Sequence, residues 1–419
     1  MPSTQQNRIF GLDFLRAIAI LQVVQGHTYQ LHYQFWEYAP WASKIISFAI
    51  FNFVDGVDLF FVLSGFLIGG ILIKNLENQP HNIKTLLDFW TKRWFRTLPV
   101  YLLILTVNIL IFCFIFSKNP TLGVKSLWNE GILRYFFFTQ NFKTISSFFE
   151  ESWSLSIEEW SYLILPILFI CIIRFGKLSV KTSILIGIIT ILTLSMIARF
   201  IFWFSILPNT QLTPWELQVH LRGITPLRLD AIDLGVFGAW VNYYYKGNWL
   251  KFRWLFLSIG LIACFYFKDL SALTLQNIKK PIGVLFVMIE NVFGCFGIFC
   301  LLPVLITWKV QKGIFGKVIE HISLISYSLY LLNLTFLIGL IKHFSPSHSV
   351  QDSYLNLTIY WVILIILSTL TYYYFEKPMM KLRERFFISS ASPTKFQSPK
   401  TIKQPSENTS KVLHQSFDL

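Results

Sequence analysis

Charge is scarce in this sequence. Only 14% of its 419 residues are charged, where soluble domains carry about 25%. So few charges cannot cover the surface of a chain this long, so lipid must supply most of its solvent. Cysteine is sparse as well. The five, at positions 113, 171, 264, 295 and 300, all lie inside apolar runs, where a thiol behaves as a small hydrophobe. They show neither metal spacing nor a disulfide framework. There is no glycine-rich phosphate loop, no metal-ligand triad and no Gly-x-Ser-x-Gly elbow. A covalent serine mechanism therefore has no direct support, and no metal is expected. Despite a net charge of +14, no nucleic-acid-binding motif is present. No internal repeat is visible, which removes the usual hint of a transporter built from inverted halves. The opening residues MPSTQQNRIF are polar, and no cleavable signal peptide precedes the first apolar run.

What is abundant is apolar. Hydrophobic residues make up 54% of the chain and aromatics 17%, with 42 Phe and 14 Trp. Crossing about 30 Å of hydrocarbon takes about 20 residues of helix. Runs of that kind fall near 9–31, 47–73, 96–117, 153–173, 182–207, 227–245, 252–267, 282–306, 322–341 and 354–375. The expected fold is therefore all-α, a polytopic bundle of about ten spanning helices. The run at 252–267 is short. The stretch 127–142 reads as an amphipathic helix lying at the outer interface. Lysine and arginine concentrate in alternate loops, at Lys74, Lys84, Lys92, Arg93, then Arg174, Lys177, Lys181, then Lys246, Lys251, Arg253, then Lys309, Lys312, Lys317. By the positive-inside rule, those loops and both termini face the cytoplasm. Residues 1–385 form one membrane domain. Residues 386–419 are rich in Ser, Thr, Pro, Lys and Gln and read as a disordered cytoplasmic tail.

Ionisable groups at membrane depth cost several kcal/mol unless paired or hydrated, so those few are informative. In GLDFLRAIAILQVVQGHTYQL, Asp13 and Arg16 share a helix face. His27 stands about 16 Å further along the axis on the same side. A histidine there could act as general base. A structural ion pair and a histidine satisfied by a neighbouring helix would give the same pattern. Arg93 and Arg96 open the third span. Their spacing favours a positive-inside anchor, although arginine also matches phosphate oxygens. In EESWSLSIEEWSYLILP, Ser152 or Ser154 can cap the helix. Glu158 and Glu159 fall in its first turns, either for the helix dipole or facing an outer vestibule. Arg228, Asp230 and Asp233 place charge at the outer entrance of the sixth span. Ser326, Tyr327, Tyr330 and Asn333 line about two turns of the ninth. Asp55 and Asp58 sit near the outer end of the second span, with Ser64, Gly65, Gly69 and Gly70 deeper. Those glycines read as close helix packing. Taken by themselves, these buried groups do not separate an acyl-transfer site from the proton relay of a secondary transporter.

The set of motifs resembles the acyltransferase-3 family of integral-membrane O-acyltransferases. The resemblance rests on LDFLRAIAI…VVQGH, FFVLSGFLIGG, Arg93-x-x-Arg96-x-x-Pro99, WSLSIEEWSY, TPLRLDAIDLG, SYSLYLL and YFEKP. They follow in the family's order across residues 9 to about 380. It implies transfer of an acetyl or other short acyl group from acyl-CoA to a hydroxyl of a carbohydrate or small molecule. A surface or exported glycan is the expected acceptor and the bacterial inner membrane the expected location. It also implies roles. His27 is the catalytic residue, supported by Glu158 and Asn333. Arg93 and Arg96, with Arg16 and Asp13, serve the acyl-CoA donor on the cytoplasmic side. By their positions in the sequence rather than by the resemblance, Ser154, Glu159, Arg228, Asp230 and Tyr330 are expected to border the substrate vestibule.

The chain departs from the family pattern in several places. Phe14 and Ala17 stand where glycines are common, and Ser161 stands for Phe. Asn333 occupies a position that is often histidine, so a mechanism with two histidines is not expected here. Some family members carry an extracellular hydrolase-like domain. Without one, this chain is expected to act directly or to hand its acyl group to a separate protein.

Overall fold

A computed structural model describes residues 8–32, 54–117, 119–145, 147–206, 213–280, 282–309 and 313–382. The expected tail at 386–419 and the start of the second run, 47–53, lie outside the described residues. Among those described, every regular element is helical.

The long helices are α1 (Phe10–His32), α2 (Gly56–Asn78), α3 (Ile83–Ile111) and, after two short elements, α4 (Pro120–Asn129) and α5 (Leu133–Phe136), α6 (Ser152–Gly176) and α7 (Val180–Ile201). The chain continues through α8 (Pro214–Gly223), α9 (Leu229–Tyr244), α10 (Lys246–Lys251), α11 (Arg253–Asn277) and α12 (Gly283–Leu305). It closes with α13 (Ile314–Leu332), α14 (Gly339–Phe344) and α15 (Val350–Thr371). Helices α3, α13 and α15 run on into π-helical turns at Phe112–Phe116, Asn333–Ile338 and Tyr372–Glu376.

Eight helices among the described residues are long and apolar enough to cross a membrane. Two further elements meet runs expected from the sequence but fall outside those eight. Helix α1 is 23 residues long but carries Asp13, Arg16, His27 and three glutamines. Helix α9 has only 16 residues. The outward surface of the eight spanning helices fits lipid. Leu110, Phe114, Ile189, Leu194, Ile262, Val362 and Ile366 are all at least half exposed, a continuous cost in water but not in hydrocarbon.

Three expectations change. Helix α11 extends to Asn277, well beyond the short run at 252–267. Helix α3 begins at Ile83, capped by the Asn82 side chain on the Thr85 amide. Arg93 and Arg96 thus lie inside a helix rather than at its entrance. The stretch 127–142 is not one helix. The Asn119 side chain caps the Leu122 amide and starts α4 at Pro120, and a left-handed glycine at Gly131 then breaks the chain. In a fourth difference, the N-cap of α6 is Glu151, and the Ser152 hydroxyl instead donates to the Phe149 carbonyl at 2.7 Å.

Helices α2 and α9 are in the closest contact, and glycine makes it possible. A Cβ on Gly65 would stand 1.9 Å from the Ile232 carbonyl oxygen, and one on Gly235 would stand 2.1 Å from that of Val62. The two backbones touch because neither residue has a side chain. Helix α1 packs on α13 and α2. Two apolar cores result. One joins α2, α6, α7, α9, α11 and α12. The other joins α1, α3, α13 and α15. Val57 and Phe60 border both cores, and the polar site lies along that seam.

Candidate active site

Two cavities lie at opposite ends of the same three helices, the first along the seam and the second within the core of α1, α3, α13 and α15. The first, of about 100 Å3, is lined by Arg16, Arg93, Arg96, Ser154, Glu158 and Tyr330, together with Ser64, Thr97, Tyr162, Ser326 and Tyr327. The second, of about 300 Å3, is lined among others by Gln30, Asn108, Glu150, Thr335 and Lys342. On α1, Arg16 belongs to the first cavity and Gln30 to the second, about 21 Å apart at 1.5 Å per residue. On α3, Arg96 and Asn108 are about 18 Å apart by the same rise. On α13, Tyr330 faces the first cavity and Leu334 the second. His27 and Asn333 fall between.

His27 Nδ1 is hydrogen-bonded to Asn333 Oδ1. The other amide atom of Asn333, Nδ2, donates to the Tyr330 carbonyl at 2.5 Å. That second bond sets which way the amide points. An amide oxygen can only accept, so His27 Nδ1 carries the proton and Nε2 keeps its lone pair. Asn333 opens the π-helical turn of α13. The turn is braced from α6. Glu151 Oε1 accepts from the Thr335 amide at 3.1 Å, and Glu151 Oε2 accepts from the Thr335 hydroxyl at 2.5 Å.

In the first cavity, the two arginines of α3 are uncommitted. Neither Arg93 nor Arg96 makes an ion pair among the described residues, whereas Arg8, Arg16, Arg199, Arg222 and Arg228 all do. Arg93 lies over the Tyr162 ring, 4.7 Å from its centroid, and its Nε has no partner among those residues. Opposite, the Tyr162 hydroxyl donates to Glu158 Oε2 at 2.9 Å and lies 3.0 Å from Ser64 Oγ. Asp13 is engaged through one carboxylate oxygen, Oδ1. It accepts from Arg8 at 2.6 Å, Arg16 at 3.3 Å and Ser323 at 2.7 Å. It thereby holds Arg16 at the first cavity, and Asp13 itself lines neither cavity. The Tyr330 hydroxyl donates to the Glu151 carbonyl at 2.8 Å, so in its 2.6 Å contact with Ser154 the serine is the donor.

Three expected vestibule residues stand elsewhere. Glu159 turns away and accepts from Thr97 Oγ1 at 2.8 Å. Arg228 is completely buried and pairs with Asp58, which also accepts from Arg222 Nη2 at 2.9 Å. Asp230 pairs with Arg199 at 2.6 Å, both side chains being within 1% of full burial. Asp55 joins Arg222. These residues form a buried ionic network across α2, α7, α8 and α9, not an entrance, because each charge at this depth needs a partner. Asp233 is also fully buried and lines neither cavity.

Sequence reasoning passed over several participants. Tyr162 sits one turn after Glu158, a spacing that puts both on one face. Thr97 and Ser323 carry no such signal, since only the fold brings them to Glu159 and Asp13. Asn108 is a single amide within an apolar run, which was a readable sign. In the second cavity, burial raises the Glu150 carboxyl above its ordinary value, and the Lys342 charge acts against that rise. Among the described residues, no group of three or more His, Cys, Asp or Glu side chains could hold a metal.

The fold and site together define a polytopic helical membrane protein with an imidazole held between two polar cavities. The sequence profile of the acyltransferase-3 family, described as an acyltransferase domain, matches residues 9–376. The chain belongs to that family. It is similar to the peptidoglycan O-acetyltransferase OatA of Listeria monocytogenes, 33% identical over 196 residues, which are 43% of this chain and 28% of that protein. It is also similar to the O-acetyltransferase OatA of Staphylococcus aureus, 31% identical over 199 residues, which are 46% of this chain and 30% of that protein. The matched segment thus spans less than a third of the length of these relatives. No solved structure matches the chain.

Proposed function

We propose that this protein is a membrane O-acyltransferase. It moves an acetyl or other short acyl group from acyl-CoA to a hydroxyl of a cell-wall or exported polysaccharide. Peptidoglycan, named in one of its relatives, is the first candidate. The observation that carries this reading is the position of the His27–Asn333 pair between two cavities, one presenting uncommitted arginines.

In this reading, Arg93 and Arg96 hold the phosphates of the donor, and Arg16 adds charge beside them. The thioester reaches His27 from that side, and the acceptor hydroxyl reaches it from the other. Nε2 of His27 takes the hydroxyl proton as the oxygen attacks the thioester carbonyl. A C–O bond forms, the C–S bond breaks, and the proton passes from His27 to the departing thiolate. Asn333 holds the imidazole in the tautomer that leaves Nε2 basic. Glu158 keeps Tyr162 in place beneath Arg93. No serine intermediate is invoked, because the Ser154 proton is already committed to Tyr330. The arginine cavity and both termini face the cytoplasm of a bacterial inner membrane, in line with the lysine and arginine distribution.

The test is transfer of label from radiolabelled acetyl-CoA to an envelope glycan extract by purified protein in nanodiscs. Label on glycan with wild type, and a raised acetyl-CoA requirement with Arg93→Ala/Arg96→Ala, is expected. Absence of acetyl-CoA binding by wild type would overturn the reading.

A further inference from the structure

The Glu151 carboxylate is used outside its own helix. Glu151 is the N-cap of α6, a place where a carboxylate ordinarily accepts from the first main-chain amides of the helix. No such capping bond is made here. The side chain reaches instead to the π-helical turn Asn333–Ile338 of α13, although the residue is only 1% exposed. Its Oε1 accepts from the Thr335 amide at 3.1 Å, and its Oε2 from the Thr335 hydroxyl at 2.5 Å. Its main-chain carbonyl accepts from the Tyr330 hydroxyl at 2.8 Å. Serine or asparagine would cap α6 without burying a charge. Only a group with two acceptor oxygens takes both hydrogens of Thr335.

These contacts grip α13 on both sides of Asn333, three residues before it and two after. Tyr330 lines the first cavity and Thr335 the second. Asn333 is completely buried between them. Its Nδ2 donates to the Tyr330 carbonyl at 2.5 Å, and its Oδ1 accepts from His27 Nδ1. Among the described residues, Glu151 makes no hydrogen bond to Asn333 or His27, and it lines neither cavity. Any influence it has on the imidazole therefore passes through the turn. Hydrogen bonds weaken steeply with misalignment, and a shift of about 1 Å in a reacting group can cost about a hundredfold in rate.

We propose that Glu151 is a positioning residue, which holds the π-helical turn of α13 so that Asn333 keeps His27 in one orientation and one tautomer. In giving that geometry a catalytic consequence, the proposal rests on the acyl-transfer reading. The effect on the imidazole does not require it.

The test reads the imidazole and the chemistry separately. Full-length protein with isotope-labelled histidine ring nitrogens is placed in nanodiscs, and the His27 signals are assigned by their loss in His27→Gln. Wild type is expected to show one neutral tautomer, with the proton on Nδ1. Glu151→Ala is expected to show a mixture of tautomers, as Asn333→Leu does. Glu151→Gln keeps two polar atoms for Thr335 and is expected to resemble wild type. In acetyl transfer, Glu151→Ala is expected to lower kcat about tenfold to a hundredfold, with the acetyl-CoA KM within about twofold. Added to Asn333→Leu, it is expected to lower kcat no further, because changes that act through one contact are not additive. A folded Glu151→Ala with the wild-type imidazole signal, equal losses by Glu151→Gln and Glu151→Ala, or a full additional loss in the double variant would overturn the proposal. Should Glu151→Ala fail to fold, Thr335→Val carries the test, since it removes the hydroxyl and keeps the amide. Mixed tautomers are expected there, and an unchanged signal contradicts the proposal. If wild type shows the expected tautomer and Glu151→Ala loses it, yet wild type transfers no acetyl group, the acyl-transfer reading alone is refuted.

Discussion

The Asn333 amide joins His27 Nδ1 through its oxygen and the Tyr330 carbonyl through its nitrogen. One side chain thus fixes both the direction of the imidazole and its tautomer. Replacing it with Leu removes that control without touching either substrate. Asn333→Leu is expected to lower kcat about a hundredfold, the lower end of what a well-placed acid–base group contributes, with the donor KM unchanged. Asn333→His, which keeps an acceptor, is expected to remain within tenfold of wild type. Steady-state kinetics of both variants checks this. A rise in donor KM with unaltered kcat would contradict it.

Arg93 and Arg96 make no ion pair within 4.0 Å among the described residues, and Glu158 shares their cavity. Their guanidinium groups are therefore available to phosphate. Charge-assisted hydrogen bonds of this kind contribute about 1.5–3 kcal/mol. Each single alanine substitution is expected to raise the acetyl-CoA KM by roughly tenfold to a hundredfold, which is that energy expressed as affinity. Lysine at either position is expected to recover only part of the loss, since it lacks the planar fork. Donor titrations at fixed acceptor check both.

Arg228 and Asp58 are expected to matter for folding rather than for substrate. Both are completely buried and paired. Removing Asp58 strands the Arg228 charge, at a cost of about 3–5 kcal/mol, and removing Arg228 leaves Asp58 with Arg222 alone. Arg228→Met is expected to lower the unfolding temperature and the yield of folded protein. Asp58→Leu/Arg228→Met is expected to recover much of that stability. A stable, well-expressed Arg228→Met with lost acceptor affinity would place Arg228 at the substrate instead.

Gly65 holds α2 against α9. Any Cβ there meets the Ile232 carbonyl oxygen at 1.9 Å, and backbone cannot move aside as a flexible side chain can. Gly65→Val is expected to reduce thermal stability far more than Gly247→Val, where a Cβ meets nothing within 4 Å. Paired unfolding curves in one detergent decide it.

The helical bundle was legible because apolar runs of spanning length and alternating basic loops are local features. The Asp13, Arg16 and His27 face was legible for the same reason, being set by one helix period. Partners across helices were not. Arg228 and Asp230 look like an entrance in one dimension, but Asp58 and Arg199 claim them in three. Arg199 itself sits within an apolar run and drew no notice. Arg93 and Arg96 looked like boundary anchors because the apolar run begins near them. The Asn82 cap starts the helix well before that run, which carries both arginines into the cavity. The second cavity escaped sequence reasoning because its polar residues come from α1, α3, the end of α4, the segment before α6, the π-turn of α13 and α14, with no shared motif.

The central claim is that His27 carries the proton between acceptor and donor. The direct measurement is acetyl transfer by His27→Gln against wild type, at equal folded protein and with acetyl-CoA binding followed in parallel. Donor binding within a few-fold of wild type with transfer reduced at least a hundredfold is predicted. Full transfer by His27→Gln would contradict the account.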